Sequence, residues 1–211
     1  WAMNVVNAPV ESGLSVWQRC IKRGFDILFA IIGLVAFSWL IALAFIFASI
    51  DTGSNGFFVQ TRVGIYGRLF KVIKIKTMRP VEGLNTSVTA SGDPRITKLG
   101  NFFRRTKIDE LPQFINVLLG DMSFVGPRPD VPGFADDLSG DDLVVLSIRP
   151  GITGPATLEY KNEEQILARQ DNPEKYNSEV IYPDKIRINR EYIENYSLAV
   201  DISLIFKTFI S

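Results

Sequence analysis

The sequence predicts an α+β fold, predominantly helical, with one N-terminal membrane-embedded helix, a small β-hairpin and amphipathic interfacial helices. Three observations carry that prediction. Residues Ile27 to Ile50 run for 24 positions without a charge. Residues 57 to 78 read as two strands around a turn between Gly64 and Gly67. Near the C-terminus, Leu198, Ile202, Ile205, Phe206 and Phe209 fall on one helical stripe.

Residues 1–18 are read as an N-terminal tail. Its opening "WAMNVVNAP" has no pattern and is set aside from fold reasoning, as a stretch that could carry an expression scar. Residues 19–51 are assigned to the membrane-embedded helix and 52–211 to one cytosolic domain. At ~1.5 Å per residue the charge-free run reaches roughly 36 Å, enough for a ~30 Å hydrocarbon core. A buried soluble helix is the plainer alternative, and the length argues against it. Arg19, Lys22 and Arg23 before the run favour a cytoplasmic N-terminus, but Arg62, Arg68, Lys71, Lys74, Lys76 and Arg79 after it resist export. A re-entrant helix, bent near Ser38 and returning to the same face, would satisfy both flanks. A plain spanning helix is its rival.

In "VIKIKT" the apolar and basic residues alternate, so Lys74 and Lys76 share one face, with Ile73 and Ile75 on the other. A solvated strand face explains such lysines equally well. Residues 81–94 read as a polar loop, "ITKLGNFFRRTKI" as a short helix, and "DDLSGDD" (136–142) as a solvated acidic stretch. Prolines make "GDMSFVGPRPDVPG" and "RPGITGP" rigid and non-helical, presenting Arg128 and Arg149 from stiff backbones. "EEQILARQDNPEKYN" reads as a polar surface helix and turn. The C-terminal stripe would pack on the core by default, with the headgroup interface as its second option.

Composition excludes whole chemistries. The formal net charge is zero, so no nucleic-acid partner is expected. There is one cysteine and no histidine. Intramolecular disulfides, Ser-His and Cys-His nucleophiles and His-rich metal sites are therefore all absent. Acid–base or metal chemistry must use carboxylates, and a metal would be hard and oxygen-loving, such as Mg²⁺.

The carboxylates that stand out lie in "RRTKIDELPQF", residues 104–114. Asp109 fits a helix N-cap, Pro112 the first turn, and Leu111, Ile115, Leu118 and Leu119 an apolar face ending at Gly120. Capping explains neither Glu110 nor the surrounding Arg104, Arg105 and Lys107. A carboxylate of reference pKa ~3.9 among cations is expected to stay ionised. An ionised Asp can attack phosphorus, while Arg and Lys hold phosphate oxygens. No GxxxxGK[ST] or GxGxxG motif is present. The residues alone thus reach a membrane-bound enzyme handling a phosphorylated amphiphile, with a non-catalytic phosphate- or lipid-binding module as the alternative.

"KTM" (76–78), "DELPQ" (109–113), "GDMSFVGPRP" (120–129) and "RPGITG" (149–154), in that order, resemble the bacterial sugar transferase family, the monotopic phosphoglycosyl transferases. "KRGFDIL" and "YSLAVDISLIFKT" extend the similarity from about Arg19 to Phe206. The resemblance implies transfer of a sugar-1-phosphate from a UDP-sugar to a polyprenyl phosphate such as undecaprenyl phosphate, with release of UMP. It implies Asp109 as nucleophile and Mg²⁺ ligand, Glu110 as its partner acid, and Arg104, Arg128, Arg149, Lys74 and Lys76 as phosphate or substrate contacts. A direct displacement without a covalent intermediate stays open as the other enzymatic route. Membrane lipids are implied as partners, at the cytoplasmic face of the bacterial inner membrane, and a homodimer is left open. Where the family bends its re-entrant helix at Ser-Pro, this chain has Ser38-Trp39. Where many relatives continue with Ala-Gln and Gly-Arg it has "ITGPATLEY", which leaves the sugar unnamed.

Overall fold

The structure, a computed structural model, describes residues 13–81, 93–133 and 138–210. Most of the expected polar loop, part of the acidic stretch and the tail before Gly13 lie outside the described residues.

Helix α1 (Val16–Thr52) is continuous over 37 residues. A capping box starts it: Ser15 Oγ accepts from the Gln18 amide, and Gln18 Oε1 accepts from the Ser15 amide. Gly53, in the left-handed conformation, ends it. Its mean hydropathy over the best window is 2.7, so it is long and apolar enough to cross a membrane. Asp26, Ala30, Gly33, Ile41, Ala44, Ala48 and Thr52 are buried, a face that meets the rest of the chain. Between Gly33 and Ile41 no residue is buried, and Val35 and Trp39 are 75% and 62% exposed. Ser38 Oγ donates to the Val35 carbonyl at 3.4 Å.

Strands β1 (Phe57–Val63) and β2 (Leu69–Ile75) form the expected antiparallel hairpin, Phe57 opposite Ile75. The unbroken register keeps Lys74 and Ile73 on opposite faces of β2, but the lysine face is not a solvated one. Val72, on the Lys74 face, is buried against Ala30, Val117 and Met122, whereas Ile75 packs with Ala44, Ala48 and Phe103. Both faces are covered, because other elements close over each. Helix α2 (Lys98–Arg105) is capped by Thr97, whose Oγ1 accepts from the Gly100 amide. A Cβ at Gly100 would lie 2.1 Å from the Thr77 carbonyl, so only glycine lets α2 approach this strand extension so closely.

Helix α3 (Gln113–Leu119) follows a 3₁₀ turn at Ile108–Glu110 and stops at Gly120, φ 96°. The predicted apolar face is not the buried one. Gln113, Asn116 and Val117 are buried, while Leu119 is 70% exposed. The two proline-rich segments are stiff because they pair with each other. β3 (Ser123–Val125) and β4 (Gly151–Thr153) form a parallel ladder, Ser123 opposite Gly151. Short helices α4 (Pro155–Glu159), α5 (Glu163–Leu167) and α6 (Pro173–Tyr176) lead to α7 (Tyr182–Glu194) and α8 (Leu198–Ile210).

Most of the C-terminal stripe turns outward. Asp201 and Leu204 are the buried residues of α8, and Phe206 and Phe209 are 64% and 84% exposed. The stripe is divided: Ile205 packs half-buried against the cluster around Tyr192 and Ile193, whereas Ile202, Phe206 and Phe209 face away from it. Inward-facing Asp201 receives the Lys22 ammonium at 2.6 Å and the Tyr192 hydroxyl at 2.5 Å, tying α8 and α7 to the start of α1. Asp26 Oδ1, one turn further along α1, accepts from Ser123 Oγ and the Phe124 amide.

Candidate active site at Asp109 and Glu110

Lys107 takes a left-handed backbone conformation, φ 58°, uncommon for a residue with a Cβ. This turn ends the run from α2 and starts the 3₁₀ segment that carries both acids. The N-cap of α3 is Pro112, with no side-chain capping bond. Asp109 therefore does not cap α3, and the bland reading of that carboxylate falls away.

Asp109 is 8% exposed, and its Oδ1 is buried with no hydrogen-bond partner among the described residues. Burial pushes its carboxyl up to about 6, and the neighbouring Glu110 charge adds to the shift. Lys74, Lys107 and Arg104 pull the other way and are outweighed. The cations expected to keep this acid ionised do act in that direction, but desolvation outweighs them and raises it. At pH 7 the group is still ionised by about ten to one.

Glu110 goes the opposite way. Burial alone would raise it, but Lys74, then Arg128 and Lys107, bring it down to about 2. Lys74 Nζ lies 2.9 Å from Glu110 Oε1 and an Arg128 nitrogen lies 3.8 Å from the same oxygen. The Lys74 ammonium is itself lowered from its ordinary value by burial, with Arg128 adding to the effect against Glu110. Two adjacent carboxylates are therefore pushed apart in acidity, the pattern that separates a reactive acid from a permanently charged one.

The other predicted site residues divide into near and remote. Arg104 donates to Thr77 Oγ1 at 3.0 Å and to Met78 Sδ, and acts on Asp109 through space. Arg128, half exposed, is presented by a loop clamped from the hairpin: Val63 N donates to the Asp130 carbonyl and Arg62 to the Pro129 carbonyl. Lys76 bonds Ser54 Oγ at 2.9 Å, just past the end of α1. Arg149 donates to the Gly120 carbonyl at 2.7 Å, at the far end of α3. Neither Lys76 nor Arg149 is paired with either acid.

Two buried side chains of this region were not singled out from the sequence. Asn116 accepts from the Ile73 amide and donates to the Lys71 carbonyl, clipping α3 to β2 and so setting Lys74 opposite Glu110. Gln113 is 3% exposed, and its Nε2 has no partner among the described residues. It lies inside "DELPQ", and that position was the signal available.

The sequence profile described as "Bacterial sugar transferase" matches residues 17–211. The UDP-glucose:undecaprenyl-phosphate glucose-1-phosphate transferase of Escherichia coli K12 is 34% identical over 203 residues, covering 94% of this chain and 41% of that protein. The UDP-N-acetylgalactosamine-undecaprenyl-phosphate N-acetylgalactosaminephosphotransferase of Aeromonas hydrophila is 34% identical, over 89% of this chain and 42% of that protein. The exopolysaccharide production protein ExoY of Sinorhizobium fredii is 32% identical, over 89% of this chain and 83% of its own length. The chain thus spans about two fifths of the first two relatives and most of the third.

Proposed function

The chain belongs to the bacterial sugar transferase family, and from that premise we propose that it transfers a sugar-1-phosphate from a UDP-sugar to undecaprenyl or another polyprenyl phosphate, releasing UMP, through a phosphosugar on Asp109. The observation that carries this reading is the buried, unpartnered Oδ1 of Asp109 beside a Glu110 that stays ionised. No donor among the described residues competes for the lone pairs of that oxygen. A carboxyl near 6 is ionised at neutral pH yet more basic than an ordinary aspartate, which favours nucleophilicity.

In the first step an Asp109 oxygen bonds to the sugar-bearing phosphorus. The bond from that phosphorus to the bridging oxygen breaks, and its electron pair leaves with UMP. In the second step an oxygen of the lipid phosphate bonds to the same phosphorus, and the Asp109 carboxylate departs. Glu110 is too acidic to accept a proton at neutral pH, so its part is to hold Lys74 and Arg128 where phosphate oxygens pass.

No group of three or more His, Cys, Asp or Glu that could hold a metal occurs among the described residues. A Mg²⁺ ion does not need one, since it binds through one or two carboxylates together with substrate phosphates. Asp109 offers a free oxygen of the right hardness, so the donor set fits. When bound there, the ion supplies neutralisation between carboxylate and pyrophosphate.

The membrane reading follows the same premise. α1 is proposed to enter and leave one leaflet at the cytoplasmic face of the inner membrane. Both basic flanks favour this, as does the exposure of residues 35–39 on every side of the helix. Ala30 and Ala44 also join clusters around Val72 and Ile75, only three residues apart on β2. Along a straight helix those alanines would stand about 21 Å apart. The exposed apolar side of α8 would lie in the headgroup region.

The test is incubation with a panel of UDP-sugars, Mg²⁺ and undecaprenyl phosphate. UMP release with one donor is expected, and no UMP with any donor would contradict the proposal.

A further inference from the structure

Two buried polar atoms in one motif lack partners: Asp109 Oδ1, an acceptor, and Gln113 Nε2, a donor. Leu111 and Pro112 between them have helical dihedrals, so the two side chains leave the backbone about one turn apart on one face. Burying a donor without an acceptor is costly, and native structures contain few such groups. A leucine would fill a similar volume without that cost. Nor does the fold need Gln113 to join α3 to β2, because Asn116 already makes both bonds.

The donors around the acids differ from it in charge and commitment. Lys74 is held by Glu110, and Arg104 by Thr77 and Met78. Gln113 Nε2 is neutral and uncommitted. Although complementary, Gln113 and Asp109 are not bonded to each other. A phosphoryl group is the species that answers both atoms at once, with an electrophilic phosphorus for the acceptor and nonbridging oxygens for the donor.

We infer that Gln113 is a further catalytic residue, whose side-chain amide donates a hydrogen bond to a nonbridging oxygen of the phosphoryl group as it passes from the UDP-sugar to Asp109. The inference rests on the nucleophile reading of Asp109. As the Asp109–phosphorus bond forms and the bond to the departing UMP breaks, charge builds on those oxygens. A preorganised neutral donor stabilises that charge without drawing on the Asp109 lone pair.

The experiment uses the full chain in detergent or nanodiscs, comparing parent, Gln113→Leu, Gln113→Met and Asp109→Asn. UMP release from a UDP-sugar with Mg²⁺ is followed with and without lipid acceptor, alongside thermal unfolding. Gln113→Leu is expected to unfold at the parent temperature or higher, because an unpaired donor is gone, while UMP release slows about 10²-fold, mostly in kcat rather than KM. Gln113→Met should behave alike and serves if the leucine variant fails to fold. A folded Gln113→Leu or Gln113→Met within threefold of the parent would overturn the inference while leaving the nucleophile standing. UMP release that survives Asp109→Asn would sink the nucleophile reading and this one with it, as would a parent that releases none.

Discussion

Asp201 and Asp109 are both buried aspartates with lysines nearby, and they differ in whether their oxygens are engaged. Asp201 is 1% exposed, and each of its oxygens is engaged, one by Lys22 and the other by the Tyr192 hydroxyl. That closed arrangement joins three helices. Asp109 is nearly as buried, but Lys74, the lysine that acts on it most strongly, is committed to Glu110, and its Oδ1 bonds to nothing among the described residues. Satisfied buried charge serves the fold, whereas a charge left unsatisfied costs stability and is kept where chemistry uses it.

The largest effect should come from opening the second site. Asp109→Asn is expected to cut turnover by at least about 10³-fold with the fold intact. Its stability should rise at neutral pH. The folded acid, near 6, lies above its unfolded value, so the stability it contributes at low pH is lost between about pH 4 and 6. The amide has no such loss, and the gain should reach up to about 3 kcal/mol in thermal unfolding at pH 7.5. A destabilised variant would erase the contrast between the two aspartates.

Lys22→Met should do the reverse. It strands Asp201 in the interior and should cost about 3–5 kcal/mol of stability, with activity falling only as the folded fraction falls. A loss of turnover in fully folded protein would mean that this network also takes part in catalysis.

Lys74→Met sharpens the comparison at the active site. Parent kcat/KM should rise with pH through about 6 as Asp109 ionises. Since Lys74 lowers both acids, the variant's limb should move to higher pH, with a drop of about 10- to 100-fold at pH 7. An unmoved limb would remove Asp109 from the profile. The smallest contrast is between two arginines. Arg128→Ala should raise the UDP-sugar KM by about tenfold, whereas Arg149→Ala, bonded at Gly120, should change it less. Equal effects would mean that Arg149 reaches substrate from the far end of α3.

What could be read in advance follows the range of the interactions. The charge-free run, the glycine turn of the hairpin, the short helix in "ITKLGNFFRRTKI" and the stop at Gly120 are local signals, and each element formed where they pointed. The β3–β4 ladder was not legible. Each strand is three residues long, flanked by prolines, and its partner is about thirty residues away. For α8 the periodicity identified a stripe but not its surroundings, since an apolar face looks the same toward protein or lipid. Lys22 reads as the flank of a membrane helix until Asp201 is seen beside it. In the candidate site, Asp109, Glu110 and Arg128 could be named from their motifs, Arg104 from the basic run before them and Lys74 from its alternating strand, and the structure brings them together. The motifs say nothing of distance, so they could not set Arg149 and Lys76 apart. Nor could they show that burial, rather than the surrounding cations, governs the acidity of Asp109.

The most direct measurement is to quench the full chain during turnover of a UDP-sugar without lipid acceptor and map any adduct by peptide mass spectrometry. A mass increase equal to the sugar phosphate of the donor used, on the peptide carrying Asp109, absent from Asp109→Asn and discharged by added polyprenyl phosphate, is the expected result. An adduct on another residue, or UMP release at full rate with no adduct at all, would contradict it.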